Sequence, residues 1–346
     1  MRVMASELEQ AATIILVGLG ESRQGAATVA KVLVCADSRG IRTHGCFYLR
    51  DIFQRAKASM FNLPTNPVVI KDEEATTVID GNNGLGPPVA HQAILTSMEK
   101  ARHYGVGVTL VRNTNNVGIL GYYTGLAAEQ GFVGVMMTNG APCMAPWGGA
   151  EPFLGTNPIS IAVPADEFPI VVDMACSVVA RGKIRTALRR GEQIPLGWAL
   201  DENGVPTSDP EEALKGTLIP MGGHKGSALA LAVDILAGML SGSRYGSDVR
   251  TFHALEGPTG VGFVCLAIDV QKFMDLYQFK TLMGAYVRSI KKMKRAPGFT
   301  EILMPGELEF KREWESRTVG VELGSEVVED LNEFLSQVGS AMRVGG

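Results

Sequence analysis

From Val89 to Thr138 the chain alternates between two hydrophobic periods, and that alternation restricts its possible folds more than any other feature. Val89 to Tyr104 repeats as a helix, Val106 to Val111 is a β-rich run, Gly121 to Gln130 is helical again, and Val133 to Thr138 is strand-like. Segments whose apolar face recurs every ~3.6 and then every ~2 residues bury those faces by packing helices on a sheet, so an α/β layer architecture is expected. Further strand patterns fall at Val68 to Ile70, Thr76 to Ile79, Ile159 to Val163, Ile170 to Asp173 and Val261 to Ile268. Both ends of the chain read differently. Leu8, Ala12, Ile15 and Leu19 share one helical face that Gly20 stops; a second helical pattern runs from Ala26 to Ala36, and a third helix begins near Phe47. Pro64 to Pro67 break the chain before the first strand, and after residue 270 it is charged and helical to a last helix, Glu326 to Val338. The expected organisation is a mainly helical domain built from both chain ends, residues 1–70 with 270–346, around an α/β domain at 71–269.

With 346 residues, 46% of them hydrophobic, 20% charged and a formal net charge of -4, the chain suits a folded globular protein of about two domains. This balance argues against disorder and against a nucleic-acid surface. Five scattered cysteines without a CxxC pair offer neither a disulfide framework nor a thiolate zinc site, so a reducing cytoplasm is expected. The five histidines show no HxH or HxxxH spacing, and no metal site is expected. The apolar stretch Ala11 to Leu19 follows Glu7 and Glu9, and Ser6-x-x-Glu9 has the form of a helix capping box, which reads as an ordinary helix start, not an export signal. Ala228 to Leu240 is interrupted by Asp234 and falls short of the ~20 residues that span a bilayer; it reads as a buried helix. The basic cluster Lys291 to Arg295 reads as a solvated helix face.

VGLGESRQG, Val17 to Gly25, imitates a dinucleotide-binding turn but carries Arg23 at its third glycine position and follows a helical, not a strand, pattern. Neither another GxGxxG nor a GxxxxGK[ST] loop or GxSxG elbow occurs. DSRGIRTHG, Asp37 to Gly45, delivers a lone histidine, His44, between a threonine and a glycine, a placement suited to a general acid near neutral pH. Three other connections have polar groups beside permissive backbone. GTNP, Gly155 to Pro158, suits a polar ligand or a plain structural turn. PMGGHKGS, Pro220 to Ser227, frees backbone amides at a helix start beside Lys225 and suits a phosphate or carboxylate, or is a plain glycine-rich entry to the helix. VVDMACS, Val171 to Ser177, ends a strand at Asp173, a carboxylate that orients a ligand or caps the next turn.

Taken in order, DSRGIRTHG, DGNNGLG (Asp80 to Gly86), NTNNVGILGYY (Asn113 to Tyr123), APWGGAEPFLGTNP (Ala145 to Pro158), VDMACS, IPLGWALDENGVPTSDP (Ile194 to Pro210), PMGGHKGSALALAVDIL and MPGE (Met304 to Glu307) resemble the malate/L-lactate dehydrogenase family along nearly the whole chain. The resemblance implies a homodimeric oxidoreductase using NAD or NADP in a non-Rossmann domain with a mixed, largely antiparallel sheet. Its implied substrate is a small 2-hydroxy or 2-oxo acid, or a related carbonyl or cyclic imine. By the same resemblance His44 is the proton donor; Thr43, Tyr48 and Asn139 are expected to meet the substrate, and Asn116, by its own hydrogen-bonding groups, to orient the reacting atom. The cofactor would meet Gly155, Thr156, Asn157, Pro158, Val171, Val172, Asp173, Met174, Ser177, His224, Lys225, Gly306 and Glu307. Three positions depart from the family pattern: Tyr48 stands where an arginine is common, Ile52 where a tyrosine is common, and Asn116 where a histidine is usual. Tyr48 lacks a two-pronged cationic donor, which points to a substrate with a weaker carboxylate handle, or to Arg42 or Arg39 as replacement; Arg50 falls on another helix face. The altered pocket also allows a second reading, a nucleotide- or metabolite-binding protein without dehydrogenase activity. The enzyme reading comes first because His44 is retained.

Overall fold

The computed structural model describes residues 1–345. A short strand β1 (Arg2–Val3) precedes helices α1 (Ala5–Gly18), α2 (Arg23–Ser38) and α3 (Leu49–Lys57). Then come β2 (Val68–Asp72), β3 (Thr76–Asp80), α4 (Gly86–Tyr104), β4 (Val106–Thr114), α5 (Leu120–Glu129), β5 (Phe132–Thr138), β6 (Ile159–Val163) and β7 (Ile170–Met174). Helix α6 (Arg181–Arg190) leads to a small three-stranded sheet of β8 (Ala199–Leu200), β9 (Pro206–Thr207) and β10 (Thr217–Leu218), with α7 (Pro210–Lys215) between the last two strands. The chain continues through α8 (His224–Val233), β11 (Val261–Asp269), α9 (Leu276–Lys291), α10 (Glu307–Val319), β12 (Val321–Glu322) and α11 (Ser325–Gln337).

The main sheet has the order β2-β3-β4-β11-β5-β6-β7. Only β3 and β4 run parallel; every other neighbouring pair is antiparallel, so the sheet is mixed and largely antiparallel, as expected. Burial alternates strictly along β5 because one of its faces lies under helices, whereas the first five residues of β11, at the sheet centre, are all buried. Helices α4 and α5 supply the cover: Ala93, Ile94, Ala101, Tyr123 and Ala127 pack with Val111, Met136, Phe263 and Cys265. A second core joins both chain ends. Leu8, Ile15, Leu33, Leu49 and Phe53 pack with Leu331, Phe334 and Leu335, and β1 pairs antiparallel with β12. Phe53 stacks on Phe334 with ring centroids 4.2 Å apart. A third core, with Met144, Leu154, Ile184 and Leu218, lies around the small sheet. No helix among the described residues is long and apolar enough to cross a membrane.

Three local expectations are corrected. The capping box at Ser6 and Glu9 does not form: α1 starts at Ala5 with Met4 as N-cap, so Ser6 already lies inside the first turn. The pairing of Val3 with Val321 carries the chain straight into the helix. The stretch Ala228 to Leu240 is not a buried helix. Its α-helical part ends at Val233 and a π-helical turn follows from Asp234 to Met239. The buried Asp234 carboxylate accepts from Gly246 N at 2.9 Å and from Asn139 Nδ2 at 3.3 Å, bonds that lie beside this wider turn. Ala230, Val233 and Ala237 face inward, but Leu231, Ile235, Met239 and Leu240 are 49, 43, 49 and 61% exposed. Finally, Lys291 to Arg295 do not line a helix face. Lys291 ends α9, and the remaining residues lie beyond it.

Arg55 ties α3 to the loop that precedes β11. Its buried guanidinium donates to the carbonyls of Phe252 (3.3 Å), Ala254 and Gly257 (2.8 Å), and lies over the rings of Phe61 and Phe252. Arg55→Met would leave these carbonyls without their donor, so a loss of at least about 2 kcal/mol is expected in a urea titration. Hydrogen exchange should rise within 252–257; unchanged protection there would sink the assignment.

Candidate active site

The His44 turn is shaped by a buried carboxylate. After α2, Gly40 takes φ 78° and Ile41 N returns to Ala36 O at 2.8 Å, directing Arg42 to His44 into a single tight turn. Asp37 reaches under this turn and accepts from Cys46 N at 2.7 Å. A Cβ at Gly45 would overlap the Asp37 carboxylate, so glycine is required for this close approach. Burial lifts Asp37 to about 6, against the Cys46 amide and Arg42, which favour its charged form. The His44 ring is half-exposed but closely surrounded by protein, and burial moves its pKa below the usual 6.5. Nδ1 lies 3.0 Å from Thr43 Oγ1, and the ring stacks with Tyr48 at 6.4 Å between centroids. The methyl of Thr43 packs so closely on Gly182 that a Cβ there would stand 2.8 Å away, which brings α6 onto the turn.

The other three connections meet along one ledge. Cys176 N donates to Thr156 O at 2.8 Å, Met221 N donates to Cys176 O at 2.8 Å, and Ser177 forms an antiparallel bridge with Pro220. Gly222 and Gly223 have φ of 59° and 63°, which turns the chain into α8 and leaves His224 and Lys225 exposed at its first turn. Several polar side chains here serve the backbone. Asn157, buried with φ 39°, donates to Ala230 O at 2.9 Å and accepts from Gly140 N at 3.2 Å. Asn139 donates to Arg244 O at 2.7 Å and accepts from Gly262 N at 2.9 Å. Ser177 Oγ donates to Val179 O at 2.8 Å, and Pro158 O accepts from Thr138 N at 3.3 Å.

A recess of about 470 Å³ opens beside β7, lined by Arg39, Ile119, Gly121, Val171 to Met174, Met304 to Gly306 and Phe310. Asp173 accepts from Gly121 N at 2.7 Å in the first turn of α5, and burial raises it to about 6 despite that bond and Arg39. Gly306 turns with φ 84° against Val171, while Val171 N donates to Pro305 O at 3.1 Å. Glu307 is committed elsewhere: Lys291 Nζ is 2.6 Å and Lys311 Nζ 3.0 Å from it, and Met304 N donates at 2.9 Å. Burial alone would raise this carboxyl, but these donors hold it down to about 2.

Asn116 Oδ1 accepts from Gly118 N at 2.8 Å, while among the described residues its Nδ2 makes no hydrogen bond and none joins it to His44. The arginines near His44 in sequence all have carboxylate partners: Arg39 with Glu313 at 2.8 Å, Arg42 with Glu322 at 3.2 Å, and Arg50 with Asp330 at 2.7 Å. Sequence reasoning missed the group that lies against Tyr48. The His253 ring meets Tyr48 edge-on at 6.2 Å, Asp51 Oδ2 lies 3.1 Å from His253 Nδ1, and Arg185 Nη1 lies 3.2 Å from His253 Nε2. These residues occupy no motif, and only the fold joins them. Among the described residues no cluster of histidine, cysteine and carboxylate side chains could hold a metal ion.

Known proteins resemble this chain over nearly its whole length. A family model described as malate/L-lactate dehydrogenase matches residues 3–332. Malate/(S)-sulfolactate dehydrogenase of Methanothermus fervidus is 37% identical over 337 residues, covering 97% of this chain and 98% of that protein. Ureidoglycolate dehydrogenase (NAD(+)) of Escherichia coli K12 is 31% identical over 337 residues, 97% of this chain and 95% of its own. The solved sulfolactate dehydrogenase of Methanocaldococcus jannaschii superposes with a TM-score of 0.93 at 36% identity, over 98% of both chains. The chain belongs to the malate/L-lactate dehydrogenase family.

Proposed function

We propose that this dehydrogenase, which uses NAD or NADP, acts on a small 2-hydroxy or 2-oxo acid, or a related carbonyl or cyclic imine, with His44 moving the proton. The observation that carries this reading is the meeting of the GTNP, VDMACS and PMGGHKGS connections on one ledge, with α6, which follows it, packed on the His44 turn. The residues present fit a dinucleotide. Ile119, Val171, Met304 and Phe310 give the recess apolar walls for a flat base, and Gly306 lets the backbone come close. At the start of α8 the freed amides and Lys225 suit phosphate oxygens. The nicotinamide, when bound, donates or accepts the hydride.

His44 takes the hydroxyl proton during oxidation and returns it during reduction. Burial keeps its imidazole neutral at pH 7, and the Thr43 hydroxyl at Nδ1 leaves Nε2 free for substrate. The free Nδ2 of Asn116 can donate to the substrate oxygen. We further propose a cytoplasmic homodimer. Support comes from the exposed apolar row Leu231, Ile235, Met239 and Leu240, and from five free cysteines.

His44→Ala should lower turnover by roughly 10²–10⁴-fold, and unchanged turnover would remove His44 from the mechanism. Oxidation of a hydroxy acid needs the neutral ring, so kcat/KM should fall as pH drops through a His44 pKa below 6.5; reduction should rise over the same range. A pH-rate profile in both directions, compared with that of the His44 variant, reads this. Asp37 has the opposite sign for stability. Its folded pKa of about 6 exceeds the ordinary 3.8, so the folded state holds more protons and stability falls as pH rises between these values. Asp37→Asn, which keeps an acceptor for Cys46 N, should therefore be neutral or stabilising at pH 7 by thermal melting; a large loss would contradict the assigned cause. Ile235→Glu should convert the dimer to monomer in light scattering, and an unchanged mass would exclude this face as the interface.

A further inference from the structure

A hydroxy or oxo acid brings a full negative charge beside His44, and a charge in a desolvated cleft needs a cation partner. The cations nearest His44 in sequence are already paired, and Arg55 is bound to three carbonyls. Arg185 differs. Its one polar partner among the described residues is the His253 ring, so most of its guanidinium donors are free. A guanidinium only donates, so His253 Nε2 must be the acceptor, and the ring proton therefore sits on Nδ1, where it is donated to Asp51 at 3.1 Å. The chain Asp51, His253, Arg185 thus fixes both the tautomer of the ring and the position of the cation.

The place it fixes lies beside the His44 turn. His253, which holds Arg185 at 3.2 Å, meets the Tyr48 ring edge-on at 6.2 Å, and Tyr48 in turn stacks with His44. Gly182, on the preceding turn of α6, touches Thr43. We propose that Arg185 grips the carboxylate of the substrate, entering from α6 in place of a cation on α3, with Asp51 and His253 as its positioning residues. This rests on the proposed oxidoreductase reading, and it gives the Tyr48 pocket a carboxylate handle that its own helix lacks.

The test uses full-length protein with NADH, pyruvate and oxaloacetate as oxo acids, and oxamate as an unreactive mimic. Arg185→Gln should raise the KM of an oxo acid by about 10–100-fold, the worth of one charge-assisted contact, with a much smaller change in kcat and none in NADH affinity. The oxamate-dependent rise in melting temperature should be lost with it. Arg185→Lys should recover part of both, and Asp51→Asn should shift KM the same way by less, through loss of positioning. If turnover occurs while Arg185→Gln leaves KM and oxamate binding unchanged, the grip is overturned and the oxidoreductase reading stands. If no oxo acid is turned over yet oxamate binding still depends on Arg185, the grip stands and the oxidoreductase reading fails. Oxamate binding that is absent from the wild-type protein overturns the grip.

Discussion

The whole molecule depends on the insertion of β11 between β4 and β5. Those two strands are separated in sequence by one helix, yet neither pairs with the other; each forms its ladder with a strand that arrives more than a hundred residues later. Phe263 stands opposite both Val111 and Thr138, so the centre of the sheet and its helical cover assemble around one late segment. Without it β4 and β5 would be open edges. The same insertion brings the preceding loop back against α3, which carries His253 to the Tyr48 side of the His44 turn.

Buried polar groups, more than apolar packing, shape the site itself. Asp37 under Gly45, Asn157 between Gly140 and Ala230, Asn139 between Gly262 and Arg244, and Asn115 beside Gly84 each satisfy backbone groups that have left regular structure. Such groups are costly when unpaired, so each contact holds a loop in one position. Among the described residues, polar groups of the site left without a backbone partner include the His44 ring, the Asn116 amide nitrogen, Lys225 and the Arg185 guanidinium.

This division explains what could be read from the chain. The elements between Val89 and Thr138 were legible because each has one buried face, and period reports that directly. His44 stood out because an isolated histidine between threonine and glycine has little structural purpose. Asn139 and Asn157 looked equally functional, since a small polar residue in a glycine-rich connection reads the same whether it serves a ligand or a backbone. Leu231, Ile235 and Met239 misled in another way: an apolar run announces burial without saying whether the cover comes from the same chain. The link between Arg185 and His253 spans 68 residues and two unpatterned segments, and no local signal marks it.

Arg55 has a consequence for traffic into the cleft. Its guanidinium is dry, and lifting Phe252 to Gly257 away would break its charge-assisted hydrogen bonds to three carbonyls at once. The loop is thus a wall, not a door. Beside that loop, in contact with it through Arg185 and His253, α6 presents an exposed basic surface of Lys183, Arg185, Arg189 and Arg190, whose field would draw anions toward this side of the molecule.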